Sequence, residues 1–158
     1  MLSLSDLLRL DQIQLNLQGA DKPSVLRELV EVVRELRDEP VQREIFLQAL
    51  LDREKLHTTA IGEGIALPHA RNPLGGLLKK PLIVFGRHLS GVPFDALDGN
   101  PVQLFFLIAS PDLTDHLAIL ARISRVIRDQ KLRGELMAAM TNEEVIRSMK
   151  EAEQRLAK

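Results

Sequence analysis

Apolar residues recur along this chain with two periods. Ile13, Leu15 and Leu17 alternate with polar residues, the two-residue period of a half-buried strand, and Ser3 or Ser5 precedes them where it can cap a short helix. The period then lengthens. Over about residues 23–37, Val25, Leu26, Leu29, Val30, Val33 and Leu36 share one helical face, Pro23 suits the first turn, and Pro40 ends the pattern. A second helix is expected over about residues 41–55, with Val41, Ile45, Phe46, Ala49 and Leu50 turned inward. Residues 81–87 and 102–109 are nearly unbroken apolar runs, which suit central strands covered on both faces, and the turn-rich GVPFDALDGNP joins them. The last third returns to the helical period over about residues 114–129, 132–140 and 142–156.

Strands interleaved with helices predict an α/β sandwich. No repeat, low-complexity tract or linker interrupts it, so residues 1–158 read as a single domain. Composition narrows the function more than the fold. With five Phe and neither Tyr nor Trp, the core is aliphatic and base-stacking platforms are nearly absent. A formal net charge of -1 gives no strong attraction to nucleic acid or to an anionic membrane, so neither is an expected partner. There is no Cys, hence no disulfide framework and no thiolate chemistry. The start of the chain lacks the basic, apolar character of a signal peptide, and residues 104–109 are too short an apolar run to cross a bilayer. By default these features point to a cytoplasmic location.

Between residues 58 and 76 the texture changes to TTAIGEGIALPHARNPLGG, rich in Gly and Pro. Here Pro68 holds Leu67 extended and fixes its own φ, so the chain enters His69 stiffly. Gly62 and Gly64 upstream permit unusual backbone angles and close approach by a partner. A His presented this way resembles an exposed nucleophile, although an ordinary surface turn fits the pattern as well. His116 is the second candidate. It follows the strand at 102–109 after SPDLTD, where Thr114 or Asp115 can serve as N-cap, and it lies at the edge of the face carrying Leu117, Leu120, Ile123 and Ile127. The space beyond a strand's carboxyl end, beside a helix N-terminus, favours anions. Arg53 is the third: Ala49 and Ile45 precede it on the inward face, so its guanidinium must snorkel or meet an anion, and its fork suits a phosphate. His57 and His88 read as surface or loop-end residues, and Arg71 adds positive charge or sits in solvent. GEGIAL lacks the third Gly of a dinucleotide fingerprint, and no P-loop, HExxH or GxSxG occurs. His69, His116 and an acidic residue could still meet in space as a metal site.

The stretch EKLHTTAIGEGIALPHA, from Glu54 to Ala70, resembles the active-site signature of the type-2 enzyme IIA proteins of the bacterial phosphoenolpyruvate-dependent phosphotransferase system, the fructose/mannitol and nitrogen-regulatory kinds. FDALDGNPVQLFFLIASP and DHLAILARISRVI look like later blocks of the same family, in order and suitably spaced. The resemblance implies a mixed sheet between helices. It also implies a phosphorylated His aligned with His69, a neighbouring His aligned with His116, and an Arg aligned with Arg53, the last two stabilising the phosphoryl group. The donor would be a phosphohistidine carrier similar to HPr, so neither nucleotide, cofactor nor metal is expected. Downstream, the resemblance allows two roles: a nitrogen-regulatory-type protein acting through its phosphorylation state on target proteins, or a sugar-specific component passing phosphate to a separate IIB protein. The absence of a fused IIB portion and the opening SLSDLLRLDQIQLNL favour the regulatory role.

Overall fold

Strand β5 (Val102–Ala109) lies mid-sheet between β4 (Leu82–Val92), which runs antiparallel to it, and the short β3 (Ile65–Ala66), which runs parallel. The sheet, seen in a computed structural model that describes residues 3–157, has the order β1-β4-β5-β3-β2. β1 (Ile13–Gln14) pairs parallel with β4, and β2 (Ala60–Gly62) pairs antiparallel with β3. The sheet is therefore mixed, as the family resemblance implied.

Alternation along the two long strands sends side chains to both faces. Ile83, Phe85, Leu104, Phe106 and Ile108 face a layer that includes Leu4, Ile119, Ile123, Leu136 and Met149. That layer is built by α1 (Leu4–Leu7), α4 (Leu113–Val126), α5 (Gln130–Ala138) and α6 (Asn142–Leu156). Val84, Phe105 and Leu107 face the other way, toward Val25, Leu29, Phe46 and Leu50 of α2 (Lys22–Glu31) and α3 (Pro40–Leu56). Both central strands are thus covered on both sides, which is why they read as unbroken apolar runs.

Four details depart from the sequence reading. The helix expected over residues 23–37 stops at Glu31. Val33 adopts an extended φ/ψ of -69/107, after which Arg34–Leu36 makes a single 3-10 turn that buries Leu36. Two consecutive β-branched residues weaken the helix there, and ion pairs from Arg34 to Asp11 and from Glu35 to Arg9 hold the turn. In α3 the inward row is Phe46, Leu47, Leu50 and Glu54, whereas Val41 and Ile45 are 66% and 52% exposed. Ser3 stands at the N-cap of α1, but no serine side chain caps it. The Glu153 carboxylate of α6 does so, accepting from the Leu4 and Ser5 amides at 2.9 and 3.1 Å. Finally, α4 is capped by Asp112, whose side chain accepts from the Asp115 amide, and not by Thr114 or Asp115.

Arg87 is the one charged side chain that β4 buries. Its Nη1 donates to the carbonyls of Leu136, Met137 and Ala139 at 3.1, 3.2 and 2.6 Å, and its Nε donates to Leu15 at 3.2 Å. A guanidinium from the sheet thereby satisfies the carbonyl end of α5. Replacing Arg87 with Met strands those carbonyls. We expect urea unfolding to show a loss of about 2–3 kcal/mol; an unchanged midpoint would show that the carbonyls are satisfied without it.

Candidate functional site

Hydrogen bonds hold the segment leading to His69 on two flanks. On the edge side, the Leu67 amide donates to the Thr59 carbonyl at 3.0 Å; on the β5 side, the Ile108 amide donates to the Pro68 carbonyl at 2.9 Å. His69 continues the parallel register by bridging to Ile108. Leu67, the residue that Pro68 restricts, and Pro68 itself are thus tied into the sheet from both sides. The imidazole turns back on its own chain, and Nδ1 lies 2.8 Å from the Leu67 carbonyl oxygen. A carbonyl can only accept, so Nδ1 carries the proton and Nε2 keeps a lone pair directed away from the backbone.

The glycines of the motif adopt the unusual backbone angles expected of them. Gly62, Glu63 and Gly64 all have positive φ, at 98°, 57° and 78°, and form the turn between β2 and β3. The Asp98 carboxylate caps this turn by accepting from the Glu63 amide at 2.8 Å. Since Ala60 pairs with Ala66, the turn lies at the opposite end of the hairpin from His69.

His116 stands on the inward face of α4 with Ile119, Ile123 and Val126; it is only 4% exposed, while Leu117 beside it is 55% exposed. The expected face was therefore rotated by about one residue. The His69 and His116 ring centroids are 5.5 Å apart, with the planes tilted by 56°. Among the described residues His116 Nδ1 is buried without a hydrogen-bond partner, which leaves Nε2 as its useful nitrogen. Arg53 occupies the last turn of α3, half-buried at the rim and not on the inward row as first read. Its Nη1 donates to the His57 carbonyl at 2.6 Å.

Burial dominates the electrostatics. It pushes the His69 pKa below its ordinary value; the hydrogen bond to Leu67 opposes this, nearby Arg53 adds to it, and Glu54 opposes it. His116 is also lowered, first by burial and then by His69. Both rings are therefore neutral at pH 7, and the pair avoids two adjacent positive charges.

The other candidates are less engaged. His57 is exposed and donates through Nδ1 to the Thr58 carbonyl at 3.0 Å, and Arg71 is exposed. His88 is a structural link, donating from Nε2 to the Gly19 carbonyl at 2.9 Å and accepting from the Gly91 amide at Nδ1 at 3.0 Å. Among the described residues, no group of three or more His, Asp or Glu is placed to hold a metal ion. No helix there is long and apolar enough to cross a membrane. One cleft, between α1, α4 and α6, is lined by Leu4, Asp115, Ile119, Arg122 and Glu153, and another by Pro40, Val41 and Ile45; neither His69 nor His116 lines either of them. Sequence reasoning gave Glu54 no role, although an acid continuing the Phe46–Leu50 row by one helical step was a visible signal.

Comparison with known proteins points the same way. The family described as phosphoenolpyruvate-dependent sugar phosphotransferase system, EIIA 2, matches residues 6–152. A nitrogen regulatory protein of Bradyrhizobium diazoefficiens is 38% identical over 138 residues, covering 86% of this chain and 87% of that protein. The fructose-specific EIIABC component of Bacillus subtilis is 34% identical over 92% of this chain, which spans only 22% of that longer protein. The crystal structure of nitrogen regulatory protein IIA-Ntr from Neisseria meningitidis superposes with a TM-score of 0.81 at 28% identity, covering 92% of this chain and 97% of that one.

A histidine whose folded pKa is lowered favours the folded state most when neutral. The unfolded chain binds more protons between the folded pKa and about 6.5, so this contribution is complete above about 6.5 and is lost as pH falls through that window. We expect NMR titration of both His69 and His116 to give midpoints below the ordinary value; midpoints at or above it would show solvated rings.

Proposed function

The chain belongs to the EIIA 2 family of the phosphoenolpyruvate-dependent sugar phosphotransferase system, and on that basis we propose that it accepts a phosphoryl group on Nε2 of His69 from the phosphohistidine of an HPr-like carrier. The observation carrying this reading is the bond from His69 Nδ1 to the Leu67 carbonyl, beside a second neutral imidazole. In the transfer, the Nε2 lone pair attacks phosphorus in line, the bond from phosphorus to the donor nitrogen breaks, and its electron pair returns to the donor ring. As Nε2 gives up its lone pair, the His69 ring gains positive character, which the Leu67 carbonyl stabilises through Nδ1–H. His116, offering Nε2–H, and Arg53, released from the His57 carbonyl, meet the equatorial phosphoryl oxygens. The chemistry reduces to positioning and charge stabilisation, because the phosphoryl group arrives already activated.

The product carries about one to two additional negative charges, by analogy with other phosphorylated side chains. Leu113 and Leu117, each 55% exposed, stand on the same helix as His116. A partner surface that fits one state is therefore mismatched in the other. We assign the chain a regulatory role exercised through this change, supported by the 38% identity with a nitrogen regulatory protein over most of both chains. The second reading, onward transfer to a IIB protein during sugar uptake, is supported by the match to a fructose-specific component.

The test is phosphate transfer from phosphoenolpyruvate through enzyme I and an HPr-type carrier, read by intact mass. We expect one acid-labile phosphoryl group on the wild type and none on His69→Ala; a labelled variant would refute the assignment. Replacing His116 with Ala or Arg53 with Lys should slow transfer about a hundredfold in a folded protein. Wild-type rates would return those residues to structural roles. Rapid passage of the label to a fructose-type IIB protein would favour the sugar-uptake reading.

A further inference from the structure

Glu54 is 7% exposed and lies in the last turn of α3, next to Arg53 in sequence. Its carboxylate accepts from the Thr59 amide at 3.1 Å and from the Thr59 hydroxyl, and the Lys22 ammonium lies 3.4 Å from Oε1. Lys22 is itself held 3.1 Å from Asp95 Oδ2 and 4.7 Å from the centre of the Phe94 ring. The Thr59 amide and the Lys22 ammonium can only donate, and both meet Oε1, while the Thr59 hydroxyl donates to Oε2. A glutamine here removes the negative charge that faces Lys22 and reverses the bond to the Thr59 hydroxyl, so the link to Thr59 is weakened.

Thr59 is also the residue whose carbonyl receives the Leu67 amide, and the Leu67 carbonyl receives His69 Nδ1. A continuous chain of contacts thus runs from Lys22 through Glu54, Thr59 and Leu67 to the imidazole. The other flank of the Leu67–Pro68 segment is held by β5, which both cores clamp. The Thr59 flank lies at the sheet edge, just outside β2, and among the described residues no further strand lies beyond it. Glu54 supplies the missing restraint there, and it does so from the helix that carries Arg53. We propose that Glu54 is a positioning residue for phosphoryl transfer: it locks the helix bearing Arg53 to the segment bearing His69 and so keeps His69 in the Nδ1–H tautomer with Nε2 free. The rate consequence rests on the phosphocarrier reading, but the tautomer consequence does not.

The experiment compares wild type, Glu54→Gln and Thr59→Val by two readouts. The first is the rate of phosphoryl transfer from the phosphorylated HPr-type carrier. The second is the tautomer of the neutral His69 ring in the unphosphorylated protein, read from ring 15N shifts, with His88 as internal reference because Gly19 and Gly91 fix its tautomer independently. In Glu54→Gln we expect transfer to slow by about tenfold or more and His69 to move toward the Nε2–H form that a free imidazole favours, with His88 unchanged. Thr59→Val, which keeps the charge and one of the two Thr59 links, should move both readouts in the same direction by less. A folded Glu54→Gln protein with wild-type rate and tautomer overturns the proposal. So does a change shared equally by His69 and His88, which would signify general loosening. If Glu54→Gln does not fold, Thr59→Val decides by the same criteria. A wild type that takes up no phosphate, with the His69 tautomer still dependent on Glu54, would refute the phosphocarrier reading and leave the positioning intact.

Discussion

Everything at the site depends on the parallel pairing of residues 65–69 with β5. The Gln103 and Leu104 amides both donate to the Gly64 carbonyl, Ile65 and Ala66 sit opposite Leu104 and Phe105, and the ladder resumes beyond Pro68 where His69 meets Ile108. β5 is buried on both faces, so its register cannot slip without exposing a whole row of Phe and Leu side chains. The same strand then sets the second imidazole. It ends at Ala109, the chain turns through residues 110–112, and Asp112 caps the helix in whose first turn His116 lies. One strand is therefore the common ruler for two residues far apart in sequence.

Packing and electrostatics reinforce each other here. Burial disfavours the imidazolium at both histidines, and a neutral ring is the form that has a lone pair to give. The tautomer is settled by the Leu67 carbonyl, an acceptor already fixed in place by the sheet. Positive charge is kept close at Arg53, whose Nη1 is engaged with the neutral His57 carbonyl, so in the proposed transfer an arriving phosphoryl group would compete against that hydrogen bond.

Much of this was legible in the chain, and the failures have physical causes. Doubly covered strands leave a continuous apolar signature, so β4 and β5 stood out. The Pro68–His69 step was legible because proline constrains its neighbour whatever surrounds it. The inward face of α3 was misread because apolar residues occur on two of its sides: Val41 and Ile45 follow helical spacing but point outward, while Phe46, Leu47 and Leu50 pack inward. Arg53 was singled out on the strength of that wrong face, and its rim position comes from the tertiary fold. The break after Glu31 depended on partners at Arg9 and Asp11, which no local pattern reveals. Glu54 is different: an acid on the Phe46–Leu50 row marks a buried carboxylate locally, but the partners that give it meaning, Thr59 and Lys22, come only with the tertiary fold.

The central claim is that the backbone of Leu67 chooses the reactive nitrogen of His69, and it can be tested on the modified protein itself. Phosphorylate the uniformly 15N-labelled chain and read one-bond coupling between phosphorus and the ring nitrogens by NMR. Coupling to Nε2, with Nδ1 still protonated, is the expected result. Coupling to Nδ1 would mean that the ring abandons the Leu67 carbonyl to react, and the account of how this fold prepares its nucleophile would be wrong.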